Sequence, residues 1–407
     1  MTATPSRRSF LRGAVGAGIA GVAVGAGGGA GIASAFGSTA TAQPAAAVPF
    51  HGARQAGVTT PPQVRAATLA LDVEVTKRAD FVELLHTITT KARFLTAGGT
   101  PADPGISAPP EDSGVLGPIV PPDHLTVTLG VGASLFDPRF GLAARKPAGL
   151  TQMPTFPDDH LDAAQCHGDL SLQVCADNTD AVGHAVREIA RATRGAVSVK
   201  WRVDGFKSPP RPSGTPRNLL GFKDGTSNLE ASDDALMNRM VWLNEATWAS
   251  GGTFQVIRTI RMLIEFWDRI GISEQENLIG RRRDSGAPMD GNVETDKPNF
   301  AADSLGAATP LTSHIRLANP RSAATDASRI LRRPYNYDRG MDPVGDLDMG
   351  LLFISYQASI QRQFEAVQHR LAGEPLVDYI QPTGGGYFFV LPGVRNASDF
   401  LGSSLVG

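Results

Sequence analysis

Hydrophobic positions in the first half of the chain recur with two different periods. Leu69, Leu71, Val73 and Val75 alternate with polar or small residues, which predicts a strand with one buried face. Phe81, Leu84, Leu85, Ile88, Ala92 and Leu95 then fall at helical spacing, and Gly98-Gly99 ends the run. Leu125, Val127, Leu129 and Val131 predict a second strand, and Leu170, Leu172 and Val174 a third. Thr179 or Asp177 is placed to cap a helix striped with Val182, Val186, Ile189 and Ala190, and residues 197–203 read as a fourth strand. Strand-helix-strand, twice over, is the order of a ferredoxin-like half.

The second half repeats the order less regularly. Residues 253–263 are strand-like, 264–283 helical, 329–337 and 351–356 strand-like, 360–371 helical, and 387–391 close the pattern. Between the halves runs the Pro-rich stretch 207–216, where the domain boundary is expected, giving domains at 64–210 and 211–407. The Pro/Gly-rich stretch 100–122 predicts a surface loop without regular structure.

The N-terminus changes the picture of where the fold begins. Ser6-Arg7-Arg8-Ser9-Phe10-Leu11-Arg12 precedes a Gly/Ala/Val stretch and then Ala40-Thr41-Ala42, so residues 1–42 read as a twin-arginine signal peptide. An extended Pro/Ala/Gly/Gln-rich arm, 43–63, follows it. The protein is expected to act outside the cytoplasm, periplasmic or extracellular. No segment is long and apolar enough to predict a membrane span.

The 407 residues carry 38 basic and 40 acidic side chains. Removing the leader takes three arginines and no acid, leaving a net charge of −5. A mildly acidic chain without a basic run argues against nucleic acid as a partner. The two cysteines, Cys166 and Cys175, match neither zinc nor covalent-haem spacing; in an exported protein they stand either as a disulfide or as free thiols. No H-E-x-x-H, Walker loop or G-x-S-x-G occurs, so zinc hydrolysis, phosphate handling and serine esterase chemistry lack support.

Two local features remain. Gly221-Phe222-Lys223-Asp224-Gly225-Thr226-Ser227-Asn228 reads by itself as a turn, glycine supplying the backbone freedom and aspartate bonding its own main chain. Ser313-His314-Ile315-Arg316-Leu317-Ala318-Asn319-Pro320-Arg321 is followed by Arg329-Ile330-Leu331-Arg332-Arg333. Strand alternation places Arg332 opposite Arg329 and Arg333, so only one set can enter a given pocket.

In order along the chain, FHGARQAGVTTPPQ, GVGASLFDPRFGL, GFKDGTSN, GGTFQVIRTIRM, IEFWDR, EQENLIGRRR, SGAP, SHIRLANPR, RILRRPYNYD, GLLFISYQ and GGGYFFVLPG resemble the dye-decolourising peroxidases, in particular their exported, iron-transport-associated deferrochelatase-like branch. Arg54 stands where that branch often has histidine. The resemblance implies an α+β fold of two ferredoxin-like halves forming a dimeric α+β barrel, with haem b in the C-terminal half. It implies Asp224 as distal acid/base, Arg332 as distal charge stabiliser and His314 as proximal iron ligand. It further suggests that Gly225, Thr226, Gly252 and Thr253 contact haem, that Arg316 pairs with a propionate, and that Leu351 and Phe353 wall the distal pocket. Ordinary packing explains the last two equally well, and a solvated strand position explains Arg316.

The implied reaction is reduction of hydrogen peroxide at the expense of a bulky phenolic or dye-type organic donor. An Asp acid/base with a reference pKa of about 3.9 predicts an acidic optimum. Tyr335, Tyr337 or Trp267, if they reach the surface, would relay electrons from donors too large to enter; otherwise they only pack. The rival readings are release of iron from haem with the porphyrin intact and a non-catalytic haem-binding uptake module. The twin-arginine export machinery is the expected partner, and a homo-oligomer is compatible with the sequence.

Overall fold

The computed structural model describes residues 46–407, so the expected signal peptide and its Arg7-Arg8 pair lie outside the described residues. The first half contains β1 (Arg65–Val73), α1 (Arg78–Ala97), β2 (Thr126–Gly132), β3 (Leu170–Ala176), α2 (Thr179–Ala192) and β4 (Val197–Phe206). The second contains α3 (Asp234–Met240), β5 (Thr253–Met262), α4 (Ile264–Trp267), α5 (Ile272–Ile279), α6 (His314–Ala318), α7 (Ala323–Asp326), β6 (Leu331–Arg332), β7 (Tyr335–Met341), β8 (Leu347–Gln357), α8 (Ala366–Leu371) and β9 (Ile380–Val390).

All strand pairs are antiparallel, and the order within each half is the same: β2-β3-β1-β4, then β9-β5-β8-β7. The halves join through β2–β9 and β4–β7, which closes the sheet into a barrel with β6 continuing beside β8. This is the expected α+β barrel of two ferredoxin-like halves. Closure removes the unpaired strand edges that would otherwise template aggregation.

The first strand was expected to have one buried face, but β1 is buried on both over residues 66–71, and so are β2 and β3 along their length. Leu69, Leu71, Val127, Leu129, Leu172 and Val174 pack under α1 and α2. The alternating small and polar positions point into the barrel, not to water. There Ser171 donates to Gln255 at 2.8 Å and the Tyr356 hydroxyl to Gln173 at 2.8 Å, so these buried groups are satisfied internally.

Helix α1 buries Phe81, Leu84, Leu85, Ile88, Ala92 and Leu95, as its spacing requires. It stops at Gly98 (φ 69°), where a Cβ would lie 2.6 Å from the Val120 carbonyl. The 100–122 stretch forms no helix or strand but is not loose. Asp112 meets His184 of α2 at 2.6 Å, and Glu188 accepts from the Ser113 amide at 3.0 Å. The arm is likewise docked: the buried Gln55 side chain bonds the main chain of Leu129 and Leu391.

In the second half the predicted 264–283 helix is two short ones, interrupted before Gly271 and ended at Gly280 (φ 93°). The predicted 329–337 strand is broken at Pro334, which lacks an amide donor, into β6 and β7. The two cysteines are buried free thiols, Cys166 under the helical layer and Cys175 inside the barrel.

Candidate active site

The site lies on the face of β8 that points away from the barrel interior. Leu352, Ile354 and Tyr356 fill the barrel, whereas Leu351 and Phe353 on the opposite face are only half-buried although β8 is flanked by strands on both sides. Their half-exposure leaves this face of the sheet open, and we take that opening as the site cavity. Arg332 pairs with Ser355 and so shares the face of Leu351 and Phe353. Arg333 turns inward and donates to the Thr60 carbonyl and the Gln63 side chain.

Asp224 comes to Arg332 from a short hairpin. Arg217 and Lys223 pair across it, and the Asn218 amide donates to the Phe222 carbonyl at 2.9 Å. The turn reading of this motif holds in part: Gly225 takes a positive φ of 127° and its carbonyl accepts from the Asn228 amide, but Asp224 bonds Arg332 rather than its own main chain. Arg332 Nη1 donates to Asp224 Oδ1 at 2.6 Å, while Oδ2 accepts no hydrogen bond among the described residues.

Asn228, four residues on, takes the place of a strand partner for β6. It accepts from the Arg332 amide at 2.8 Å and donates to the Arg332 carbonyl at 2.7 Å. One motif thus fixes both members of the Asp224–Arg332 pair. Asn228 stands inside the motif, so its polarity was a signal, but nothing in the sequence named its partner.

Glu294 holds the hairpin from behind. Its carboxylate accepts from the Lys223 ammonium, from the Thr226 hydroxyl at 2.9 Å and from the Thr215 amide at 3.1 Å. Burial alone would raise the Glu294 pKa; Lys223, Thr215 and Thr226 outweigh it and push it down to about 2. The Thr226 hydroxyl proton is therefore committed to this clamp. Gly225 lies next to Asp224 with its Cα facing Thr215.

His314 opens α6 on the other side of the cavity. Both Glu374 oxygens lie 2.9 Å from its Nδ1. A carboxylate only accepts, so Nδ1 carries the proton and Nε2 presents its lone pair. The His314 side chain is 35% exposed although it sits deep in the molecule, because it faces the cavity, whereas Glu374 is buried. Burial pulls the imidazole pKa down, but Glu374 outweighs it and the net shift is upward, with Arg332 opposing and Asp224 adding. Arg370 of α8 braces α6 by donating to the Leu317 and Ala318 carbonyls, acceptors that a helix end leaves unpaired.

Other expected positions lie elsewhere. Gly252 is packed so closely that a Cβ would sit 2.4 Å from the Phe389 ring, and the buried Thr253 hydroxyl points at the carbonyls of Phe254 and Gln357. Neither offers a group to the cavity. Arg316 is helical, not extended, and its guanidinium is occupied by Asp303, Thr309 and Phe300, which leaves no fork for a propionate. Arg321 is better placed: it reaches Ser227 of the Asp224 motif and holds a left-handed backbone (φ 57°) that a non-glycine residue rarely adopts. Burial and Arg329 push its pKa down, as an unneutralised cation beside another demands. Tyr335, Tyr337 and Trp267 are fully buried, with hydrogen bonds toward Cys175, Asp348 and Leu220, so none reaches the surface.

Comparison with known proteins assigns the chain. The family model "Dyp-type peroxidase, N-terminal" matches residues 55–207 and "Dyp-type peroxidase, C-terminal" residues 215–395. The chain belongs to the DyP-type peroxidase family. A protein named deferrochelatase from Escherichia coli (strain K12) is 48% identical over 367 residues, 88% of this chain and 87% of the relative. Among solved structures, a DyP-type peroxidase from Cellulomonas bogoriensis is 37% identical with a TM-score of 0.79, covering 89% of this chain and 99% of that one. Ferric DtpA from Streptomyces lividans is 34% identical with a TM-score of 0.81, covering 89% and 98%.

The DyP-type peroxidase is thus a haem enzyme, and its cavity fits the group. His314 commits Nδ1 to Glu374 and leaves Nε2 as the ring nitrogen for a ligand, Leu351 and Phe353 are half-buried apolar neighbours, Asp224 and Arg332 are within electrostatic reach of the imidazole, and Arg321 beside Ser227 is a cation suited to carboxylates.

Proposed function

We propose that this chain reduces hydrogen peroxide on the Asp224–Arg332 side of haem b held by His314, drawing electrons from bulky phenolic or dye-type donors. The pairing of Asp224 Oδ1 with Arg332, which leaves Oδ2 without a hydrogen-bond partner among the described residues, carries the reading. Bound haem supplies the iron at which the O–O bond of peroxide is reduced.

The chain's own residues handle the proton and the charge. Asp224 Oδ2 takes the proton from one peroxide oxygen and delivers it to the other, which then leaves as water. Arg332 stays cationic throughout and stabilises the negative charge that develops as the bond breaks. Its hydrogen bond to Oδ1 also keeps the carboxylate from rotating Oδ2 away. Glu374 fixes the imidazole tautomer so that Nε2 remains a ligand.

In the haem-loaded protein, Asp224→Asn and Arg332→Leu are each expected to lower kcat/KM for peroxide by about 10²–10⁴ with the Soret band retained. His314→Ala should weaken haem retention itself. A haem-loaded Asp224→Asn protein with undiminished turnover would make this chain a haem-binding module rather than an enzyme working through Asp224.

The 48% identity to proteins named deferrochelatase favours a second reading, release of iron from haem with the porphyrin intact. Fluorescence of free protoporphyrin after incubation with haem tests it; its absence leaves peroxide reduction alone. We further infer from Arg7-Arg8 and Ala40-Thr41-Ala42 that the protein is exported by the twin-arginine route and works outside the cytoplasm. Among the described residues no helix is long and apolar enough to cross a membrane.

A further inference from the structure

Reducing peroxide to water consumes two protons and two electrons. Asp224 can move a proton from one peroxide oxygen to the other, but the protons consumed in net reduction must enter from outside. Asp224 also lines a small crevice. That crevice has a volume of about 20 Å³ and is also bordered by Lys207, Arg217, Asn218, Asn336 and Leu351. One water molecule needs roughly 10–15 Å³ on the same measure, so the crevice holds one.

Lys207 directly follows β4, at the seam where Phe206 pairs with Asn336 of β7. Its amide donates to the Val64 carbonyl at 2.8 Å, which fixes the main chain. Its ammonium lies 5.7 Å from the centre of the Tyr335 ring. Among the described residues no carboxylate or carbonyl accepts from it, although Asp224 borders the same crevice. A half-buried ammonium normally takes a partner, because leaving it unpaired costs solvation. This one faces a water-sized space with the proposed acid/base on its wall.

We propose that Lys207 is the proton donor that recharges Asp224 through a single water in this crevice. The inference rests on Asp224 being the acid/base. An N–H bond of the Lys207 ammonium breaks as the water takes its proton, and the water passes one of its own to Asp224. Neutral Lys207 then recovers a proton from solvent at its exposed edge. One proton moves inward per passage, with no change in oxidation state.

The surroundings suit a donor. Burial, then Arg333, push the Lys207 pKa down; Asp224 raises it, Arg332 lowers it and Cys175 raises it, with a net downward result. The groups facing Lys207 are Asp224 and Arg217 from the hairpin, Arg332 of β6, Arg333 beyond it, Tyr335 of β7 and Cys175 of β3. An ordinary lysine would be too weak an acid to supply a carboxylate quickly; a depressed one narrows the mismatch.

The test uses haem-loaded Lys207→Met, Lys207→Arg and Asp224→Asn. Lys207→Met is expected to lose roughly tenfold or more in kcat at near-neutral pH with KM for the organic donor unchanged. Methylamine or imidazole in the buffer should restore part of the loss. Lys207→Arg keeps the charge and the ring contact but cannot give up its proton, so it should lose turnover as Met does. Independently of turnover, the 13Cε resonance missing from the Lys207→Met apoprotein should titrate below the other lysines in the wild-type apoprotein and move in Asp224→Asn. If Lys207→Arg keeps wild-type turnover and pH profile while Asp224→Asn is inactive, Lys207 only packs on Tyr335 and the inference falls alone. An active Asp224→Asn instead overturns the acid/base reading beneath it.

Discussion

Glu294 shows how much of the site depends on a residue that touches no reactant. Its carboxylate gathers Lys223, Thr226 and Thr215, one residue on either side of the Asp224-Gly225 pair and one from the stretch leading in. Because its folded pKa is about 2 against an ordinary 4.5, the stability it contributes is complete above pH 4.5 and is lost as pH falls from there toward 2. Glu294→Gln is therefore expected to melt below wild type at pH 6, with the difference in Tm narrowing as pH drops from 4.5 to 2. A gap that stays constant over that range would show that the Lys223 pairing contributes nothing to folding. Its role was not legible beforehand, since it lies in an Asp/Asn/Gly-rich loop where an acid is expected on the surface. Glu374 was hidden in the same way, 60 residues beyond the histidine it orients. Asp224, Arg332 and His314 were reached by resemblance, and alternation independently separated Arg332 from Arg333.

At the scale of elements, the strands and α1 were legible because a periodic apolar face is a local property of sequence. The second half was harder to read because its helices run only one to two turns and their positions are set by packing, and because Pro334 and Gly280 interrupt elements that hydrophobicity alone would continue. The interior of the barrel was invisible for another reason. Thr68, Ser171, Gln173 and Gln255 look like solvent positions until a second half closes over them. The segment between β2 and β3 is likewise tied into the second half by an ion pair. Asp159 meets Arg258 of β5, both almost wholly buried, with the guanidinium over the Phe156 ring. Asp159→Ala leaves that cation unpaired and is expected to cost about 3–5 kcal/mol in urea unfolding. Replacing both partners, Asp159→Leu with Arg258→Met, should recover most of the loss. A single substitution as mild as the double one would mean that the pair is solvated rather than closed.

The whole molecule closes only when both halves are present, because β2 is completed by β9 and β4 by β7. Asp224 and His314 belong to the second half, but Lys207, which borders the crevice at Asp224, lies at the edge of the first, so that crevice requires both halves. A chain exported unfolded would expose those strand edges and would have to find haem after crossing. Export of the folded protein, the route proposed above from Arg7-Arg8, would avoid both. In the full-length chain, Arg7→Lys with Arg8→Lys is expected to leave a soluble, haem-loaded, peroxide-reducing protein in the cytoplasm, detectable by a Soret band and turnover in that fraction. Because the substitutions lie before the barrel, they should leave its Tm unchanged. Continued appearance of processed protein outside the cytoplasm would separate export from the arginine pair. Loss of haem loading in the retained protein would show instead that assembly needs the destination compartment.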